Sequence, residues 1–246
     1  MIQLDVRNDA SVREFLETLE DEIINSLISR AQFALNSGVY KSGYAGPYMS
    51  MLDEMLLVRE SGDSRFGRYR DPIERPFSRG LSPPTDPRKV EHPDIHLDNY
   101  DAANVTQFIL KEYLNFLPLI CPEGDVVAQY GSSGEHDVTA LQIISQRVHS
   151  GIYVAEWKRF KNPERFNMLI AERNRSSLLE EVTDSAIEDG VVQRVRRKSL
   201  STQEGANHNV RIVVSADAIA QFYKKSIIEL TKEVQVRYFL RRTGIG

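Results

Sequence analysis

The sequence predicts an all-α fold, one multi-helix, bundle-like domain over residues 1–246 with long helices at both ends. Three observations predict it. Apolar residues recur every three or four positions near both termini, the period of a helix with one buried face. Six of the ten prolines fall between Pro72 and Pro93, so helix-breaking residues are gathered into one loop region in the first half. No internal repeat or low-complexity tract interrupts the rest. With 246 residues and 41% hydrophobic content, the chain is large enough to bury a core. Its net charge of −4 argues against a nucleic-acid or anionic-membrane binder. Cys121 is the only cysteine, which excludes an intrachain disulfide framework and fits a reducing cytoplasm. No window approaches the roughly 18–20 apolar residues of a membrane span. The stretch MIQLDVRNDASV lacks the basic start and apolar run of a signal peptide.

Residues 11–36 are expected to form the first long helix. Leu16, Leu19, Ile23, Leu27, Ala31 and Ala34 make its apolar stripe, and Ser11 with Glu14 reads as a capping box. Arg13 would then stand in the first turn, against the positive end of the helix dipole. Either an anion lies nearby or an exposed arginine tolerates the position. Residues 47–60 read as a second helix, with Met51, Leu52, Met55 and Leu56 inward. The stretch 62–99 is loop-rich. Its arginines 65, 68, 70, 75 and 79 read as a solvated loop or as a binding loop for an anion. His92 and His96 are four apart, but Pro93 disfavours the helix that would align them, so no metal site is expected.

Residues 100–120 read as helix, with Phe108, Ile109, Tyr113, Phe116 and Leu117 inward. YGSSG at 130–134 reads as a loop that opens the next helix; it lacks the glycine spacing and Lys-Ser/Thr ending of a phosphate loop. That helix carries QRVHSGIYVAEWK at 146–158. Arg147 and Lys158 are eleven residues apart, about three turns, so they share a face roughly 16 Å apart. Val148, Ile152, Val154 and Ala155 form an apolar strip between them. Part-buried cations need anionic partners, either a bound ligand or carboxylates of the protein itself.

Asn162-Pro163 ends this element and starts a shorter helix. The next helix spans 183–198, with Ser185 and Glu188 as a second capping box and Arg194, Arg196, Arg197 and Lys198 as a solvated, basic helix end. Residues 201–209 are polar and read as mobile. Residues 210–214 lead in extended form to Ser215, which caps a final helix reaching about Arg242. Its stripe is Ile219, Phe222, Tyr223, Ile227, Leu230, Val234 and Tyr238. Thr231 and Gln235, four apart, share the edge of that buried side and either bond a neighbouring helix or line a pocket. Spacing goes no further: it offers cations and hydrogen-bonding groups on several helices, and no nucleophile–base pair.

Four dispersed stretches together resemble one family. They are EDEIINSLISRAQF at 20–33, QRVHSGIYVAEWK at 146–158, TDSAIE at 183–188 and LTKEVQVRYFLRR at 230–242. In order and spacing they resemble the AroQ-type chorismate mutases of the larger fungal and plant class, over nearly the whole chain. The resemblance implies conversion of chorismate to prephenate by an intramolecular [3,3] rearrangement, toward phenylalanine and tyrosine, without a cofactor. The alternative is a helical regulator that binds chorismate or aromatic amino acids without turnover.

Carried over position by position, Arg13 and Arg147 would clamp the two carboxylates. Lys158 and Gln235 would donate to the breaking ether oxygen, and Thr231 would support a carboxylate. Glu188 would accept from the ring hydroxyl, with Asp184 close by. The chain departs from fungal members at three places: Gln235 stands for a glutamate, Asp184 for an asparagine, and Trp157 for a small residue. The resemblance further implies a homodimer whose interface binds tyrosine, phenylalanine or tryptophan through Gly67, Arg68, Gly131 and Ser132, with 62–99 as a regulatory region. It implies no nucleic-acid or membrane partner.

Overall fold

The structure is a computed structural model, described here over residues 5–88, 90, 92–205 and 210–244. Among the described residues ten α-helices carry the fold and no strand occurs: α1 (Asp9–Arg30), α2 (Met51–Arg65), α3 (Thr106–Phe116), α4 (Tyr130–His149), α5 (Gly151–Lys161), α6 (Pro163–Glu172), α7 (Arg175–Val182), α8 (Ser185–Gly205), α9 (Ala216–Phe222) and α10 (Glu229–Arg241). α1 packs along α4 in the centre, α2 covers α4, α8 lies on α1 and α9, and α10 runs between α5 and α7. Ile23, Ile24 and Leu27 of α1 are fully buried, so the predicted stripe is the core.

Several boundaries differ from the sequence reading. α1 begins at Asp9, because Asn8 accepts hydrogen bonds from the amides of Ala10 and Ser11 and caps the helix. The Ser11–Glu14 box is therefore not the cap, and Arg13 lies in the second turn, away from the dipole's positive end. The same helix stops at Arg30, not 36. Ser50 and Asp53 form the capping box of α2, which extends to Arg65. Of the 100–120 stretch only Thr106–Phe116 is α-helical, and Phe108 faces solvent rather than the core.

The YGSSG segment is not a loop but the first turn of α4. Two of its small residues, Ser133 and Gly134, are buried in packing. Ser133 is buried and accepts from Asn36, and a Cβ on Gly134 would lie 2.5 Å from the Met55 sulfur of α2. α7 has no counterpart in the sequence reading. α8 runs on to Gly205, through part of the stretch read as mobile; residues 206–209 lie outside the described residues. The final helix is continuous, but a π-helical segment, Tyr223–Ile228, joins α9 to α10. Such insertions are frequent at functional sites.

Two polar clusters fix the packing. Arg30 and Asp137 are fully buried and paired at 2.6 Å. Tyr40 and Tyr113 each donate to the same carboxylate, at 2.8 and 2.7 Å. Arg30 also donates to the carbonyls of Ala34 and Leu35 just beyond the end of α1. On the other side, buried Glu156 of α5 accepts from Tyr238 and, at 2.6 Å, from Arg242, tying α5 to α10.

Gly151 permits the closest approach of these two helices. A Cβ there would lie 2.7 Å from the Thr231 carbonyl oxygen and 3.2 Å from the Val234 side chain. Alanine normally gains up to about 1 kcal/mol over glycine in a helix. Here overpacking reverses the sign. Gly151→Ala is expected to destabilise by about 1–3 kcal/mol, a fall in melting temperature of about 3–10 °C. A calorimetric scan checks it; a raised melting temperature would refute the close approach.

Candidate active site

A cavity of about 360 Å³ opens where α1, α5, α8 and α10 converge. That volume suits a small molecule. Arg13, Arg147, Lys158, Asp184, Glu188, Thr231 and Gln235 all line it. The eleven-residue spacing survives a break that the sequence did not disclose. Arg147 lies in the last turn of α4 and Lys158 on α5, yet Ser150 between them keeps helical dihedrals and the i−4 hydrogen bonds on either side. The two cations therefore still face one space.

Arg147 is 5% exposed. Among the described residues its guanidinium makes one hydrogen bond, a long one of 3.4 Å to the Thr231 hydroxyl, and its buried Nε has no partner. Among the described residues no carboxylate pairs with it. A buried guanidinium without an anion is costly unless something else supplies one. Of the two readings open for this cation, the structure thus removes the internal carboxylate. Arg13 is exposed on the cavity rim and likewise unpaired among the described residues.

Lys158 donates to the carbonyl of Val182, which aims its ammonium across the mouth of the cavity toward the α7–α8 junction. Burial pushes its pKa below the usual lysine range, while the charges of Asp184 and Glu188 work the other way. Asp184 caps α8: its Oδ1 accepts from the Ile187 amide at 3.1 Å. The expected Ser185–Glu188 box does not form, which frees Glu188 to face the cavity. There Lys232 of α10 holds it at 3.3 Å. Thr231 and Gln235 are both buried, and Thr231 returns its hydroxyl to the Ile227 carbonyl at 2.7 Å. The Gln235 amide nitrogen reaches the Thr231 carbonyl at 3.3 Å, and its Oε1 is buried without a partner.

Further contributors escaped the sequence reading. Glu20 is fully buried and accepts two hydrogen bonds from Arg194, at 2.8 and 2.6 Å. Arg194 and Arg197 line the cavity, and Lys198 pairs with Asp21 at 2.9 Å. Arg194 and Lys198 of the basic cluster are therefore docked on α1, whereas Arg196 and Arg197 are exposed as expected, Arg196 pairing with Asp217 of α9 at 2.6 Å. The signal was present: Arg13, Glu17 and Glu20 continue one face of α1, as Glu188, Val191 and Arg194 do on α8.

The second group of expected residues lies elsewhere. Arg68 is neither solvated nor free. It pairs with Asp63 at 2.8 Å and Glu74 at 3.0 Å, and meets α4 at Gln142. Gly67 adopts positive φ beside it. Gly131 and Ser132 are in the first turn of α4, about 15 Å along the helix from Gln142. The two pairs therefore meet α4 nearly three turns apart within a single chain.

No family model matches the sequence. Curated relatives do. The chorismate mutase of Schizosaccharomyces pombe is 35% identical over 241 residues, covering 94% of this chain and 95% of its own. That of Emericella nidulans is 34% identical over 246 residues, covering 95% and 91%. Among solved structures, Aro7p chorismate mutase from Candida albicans, in complex with L-Trp, superposes with a TM-score of 0.88 at 33% identity, covering 98% of this chain and 95% of its own. AtCM1 with tyrosine bound in its allosteric site gives 0.83 at 29% identity, covering 94% and 95%. Full-length similarity at this level, to fungal and plant relatives alike, together with the shared helical fold, means that the chain belongs to the chorismate mutase family.

Proposed function

We propose that this chain isomerises chorismate to prephenate, in the synthesis of phenylalanine and tyrosine. The observation that carries the proposal is Arg147: a buried guanidinium with no carboxylate partner among the described residues, facing Lys158 and Gln235 across one cavity. Chorismate is a flexible dianion. Its rearrangement breaks an ether C–O bond while a C–C bond forms within the same molecule. The protein's task is to hold the folded, chair-like conformer and to stabilise negative charge growing on the ether oxygen. In our reading Arg147 and Arg13 clamp the two carboxylates, with Thr231 supporting Arg147. Lys158 and Gln235 donate to the ether oxygen. Glu188, held by Lys232, accepts from the ring hydroxyl. Asp184 acts indirectly, as the cap of α8 and as a charge that keeps Lys158 protonated.

The test is the loss of chorismate absorbance with prephenate formed. No turnover by folded protein would sink the reading and leave a chorismate-binding regulator in its place. The pH profile probes Gln235. An amide donates at every pH, whereas a carboxyl donates only when protonated. Wild-type kcat is expected to stay flat from about pH 6 to about pH 8, and the Gln235→Glu rate to fall about tenfold per pH unit above the new carboxyl's pKa. Lys158 must remain charged, so activity is present below its pKa and lost as pH rises through it. The alkaline limb should therefore begin below the ordinary lysine range.

We further propose a cytoplasmic homodimer that binds an aromatic amino acid between protomers. No helix among the described residues is long and apolar enough to cross a membrane, and Cys121 is buried. The separation of Gly67 and Arg68 from Gly131 and Ser132 supports a site shared by two copies. Arg68 already carries two carboxylates, so an effector's carboxylate must compete with Asp63 and Glu74 for it. Adding tyrosine, phenylalanine or tryptophan to the same assay reads that site.

A further inference from the structure

Trp157 is the chain's single tryptophan, and it stands next to Lys158 in the cavity wall. Its half-buried indole donates from Nε1 to Asp9 Oδ1 at 2.7 Å. Lys161, one turn further along α5, donates to the other oxygen of Asp9 and lies 4.7 Å from the indole centroid. Asp9 is the first residue of α1, and Arg13 follows one turn later on the same face. Among the described residues the Arg13 side chain forms no hydrogen bond or ion pair and feels only the charge of Asp9 one turn back, so its position depends on where the first turns of α1 are held. Helix ends open most easily. Val6 and Val12 bury against the body, but apolar contact is non-directional. The other polar tie, Arg7 to Asp94 at 3.4 Å, is exposed and weak.

We propose that Trp157 is a positioning residue. The latch of Trp157, Asp9 and Lys161 fixes the start of α1 against α5, and thereby holds Arg13 at the distance from Lys158 that the substrate's carboxylate and ether oxygen require. This inference rests on the chorismate mutase reading above.

The test is a double-mutant cycle on kcat/KM for chorismate. Trp157→Phe keeps the ring and removes the N–H. Asp9→Ala removes the acceptor from an exposed position and provides the cycle if the tryptophan variant does not fold. Each is expected to lower kcat/KM about tenfold, the effect of one charge-assisted hydrogen bond. In an Arg13→Ala background each should cost less than about twofold, because its effect runs through Arg13. Electrostatics alone gives the opposite sign for Asp9→Ala, since removing a carboxylate beside Arg13 makes the cavity more attractive to a dianion. Equal losses in both backgrounds would mean general destabilisation and would overturn the latch. So would no loss from either variant, or a gain from Asp9→Ala. A wild type that does not turn chorismate over fails the activity reading and the latch with it. A wild type that turns over beside an unimpaired Trp157→Phe fails the latch alone.

Discussion

Replacing Arg147 by alanine is expected to lower kcat/KM for chorismate by about 10²- to 10⁴-fold, the equivalent of two charge-assisted hydrogen bonds at about 1.5–3 kcal/mol each. The melting temperature should stay level or rise. Both halves follow from the same geometry. In the free protein the guanidinium is 5% exposed and has no carboxylate partner among the described residues, so removing it relieves the cost of a buried, unpaired charge. With substrate bound, that charge has the anion for which it is placed. Steady-state kinetics and a thermal melt on the same preparation check both. Arg147→Lys should recover only part of the rate, because an ammonium lacks the planar fork that matches a carboxylate. A fully active Arg147→Ala enzyme would remove the residue on which the proposed function rests. A large loss of stability would mean that Arg147 is structural instead. Stability given up at a site that must bind charge is a common trade in enzymes.

Asp137→Ala is expected to have the largest effect on stability, about 3–5 kcal/mol. Arg30 would be left fully buried without its counter-charge, and the hydroxyls of Tyr40 and Tyr113 would lose their acceptor. For a chain of this size the loss corresponds to a fall in melting temperature of roughly 10 °C or more. None of these residues lines the cavity, so turnover by the folded fraction should survive at low temperature. A double replacement, Arg30→Met with Asp137→Leu, should lie closer to wild type than either single variant, because it removes both charges at once. Denaturant titration of the four proteins tests the cycle. An Asp137→Ala protein as stable as wild type would show that the cluster contributes no net stability.

The parts of the fold legible in the sequence were those governed by a single period. The stripes of α1 and of the last helix appear where expected, because burying one face constrains every third or fourth residue. Arg147 and Lys158 were legible for the same reason, since three turns bring them to one side even across the break at Ser150. What escaped depended on neighbours distant in sequence. Gly134 looks like a loop residue until Met55 of α2 is seen pressing on it. Arg194 and Lys198 look solvated until Glu20 and Asp21 of α1 are set against them. Trp157 had no explanation before Asp9 was placed beside it. Helix starts were misread where two polar residues competed to cap, as Asn8 with Ser11, and Asp184 with Ser185. The π-helical segment before Thr231 has no signature in periodicity.

The cavity draws Arg13 from the second turn of the first helix and Gln235 from the last helix, with Arg147, Lys158 and Glu188 from the middle of the chain. Individual helices form in about a microsecond. Bringing the two ends of so long a chain together waits on loop-closure entropy and on the docking of everything between. A nascent or partly folded chain can thus carry nearly its full helical content and still be catalytically silent. For this topology the return of turnover is a clock for the last long-range contact, while circular dichroism times the first local ones.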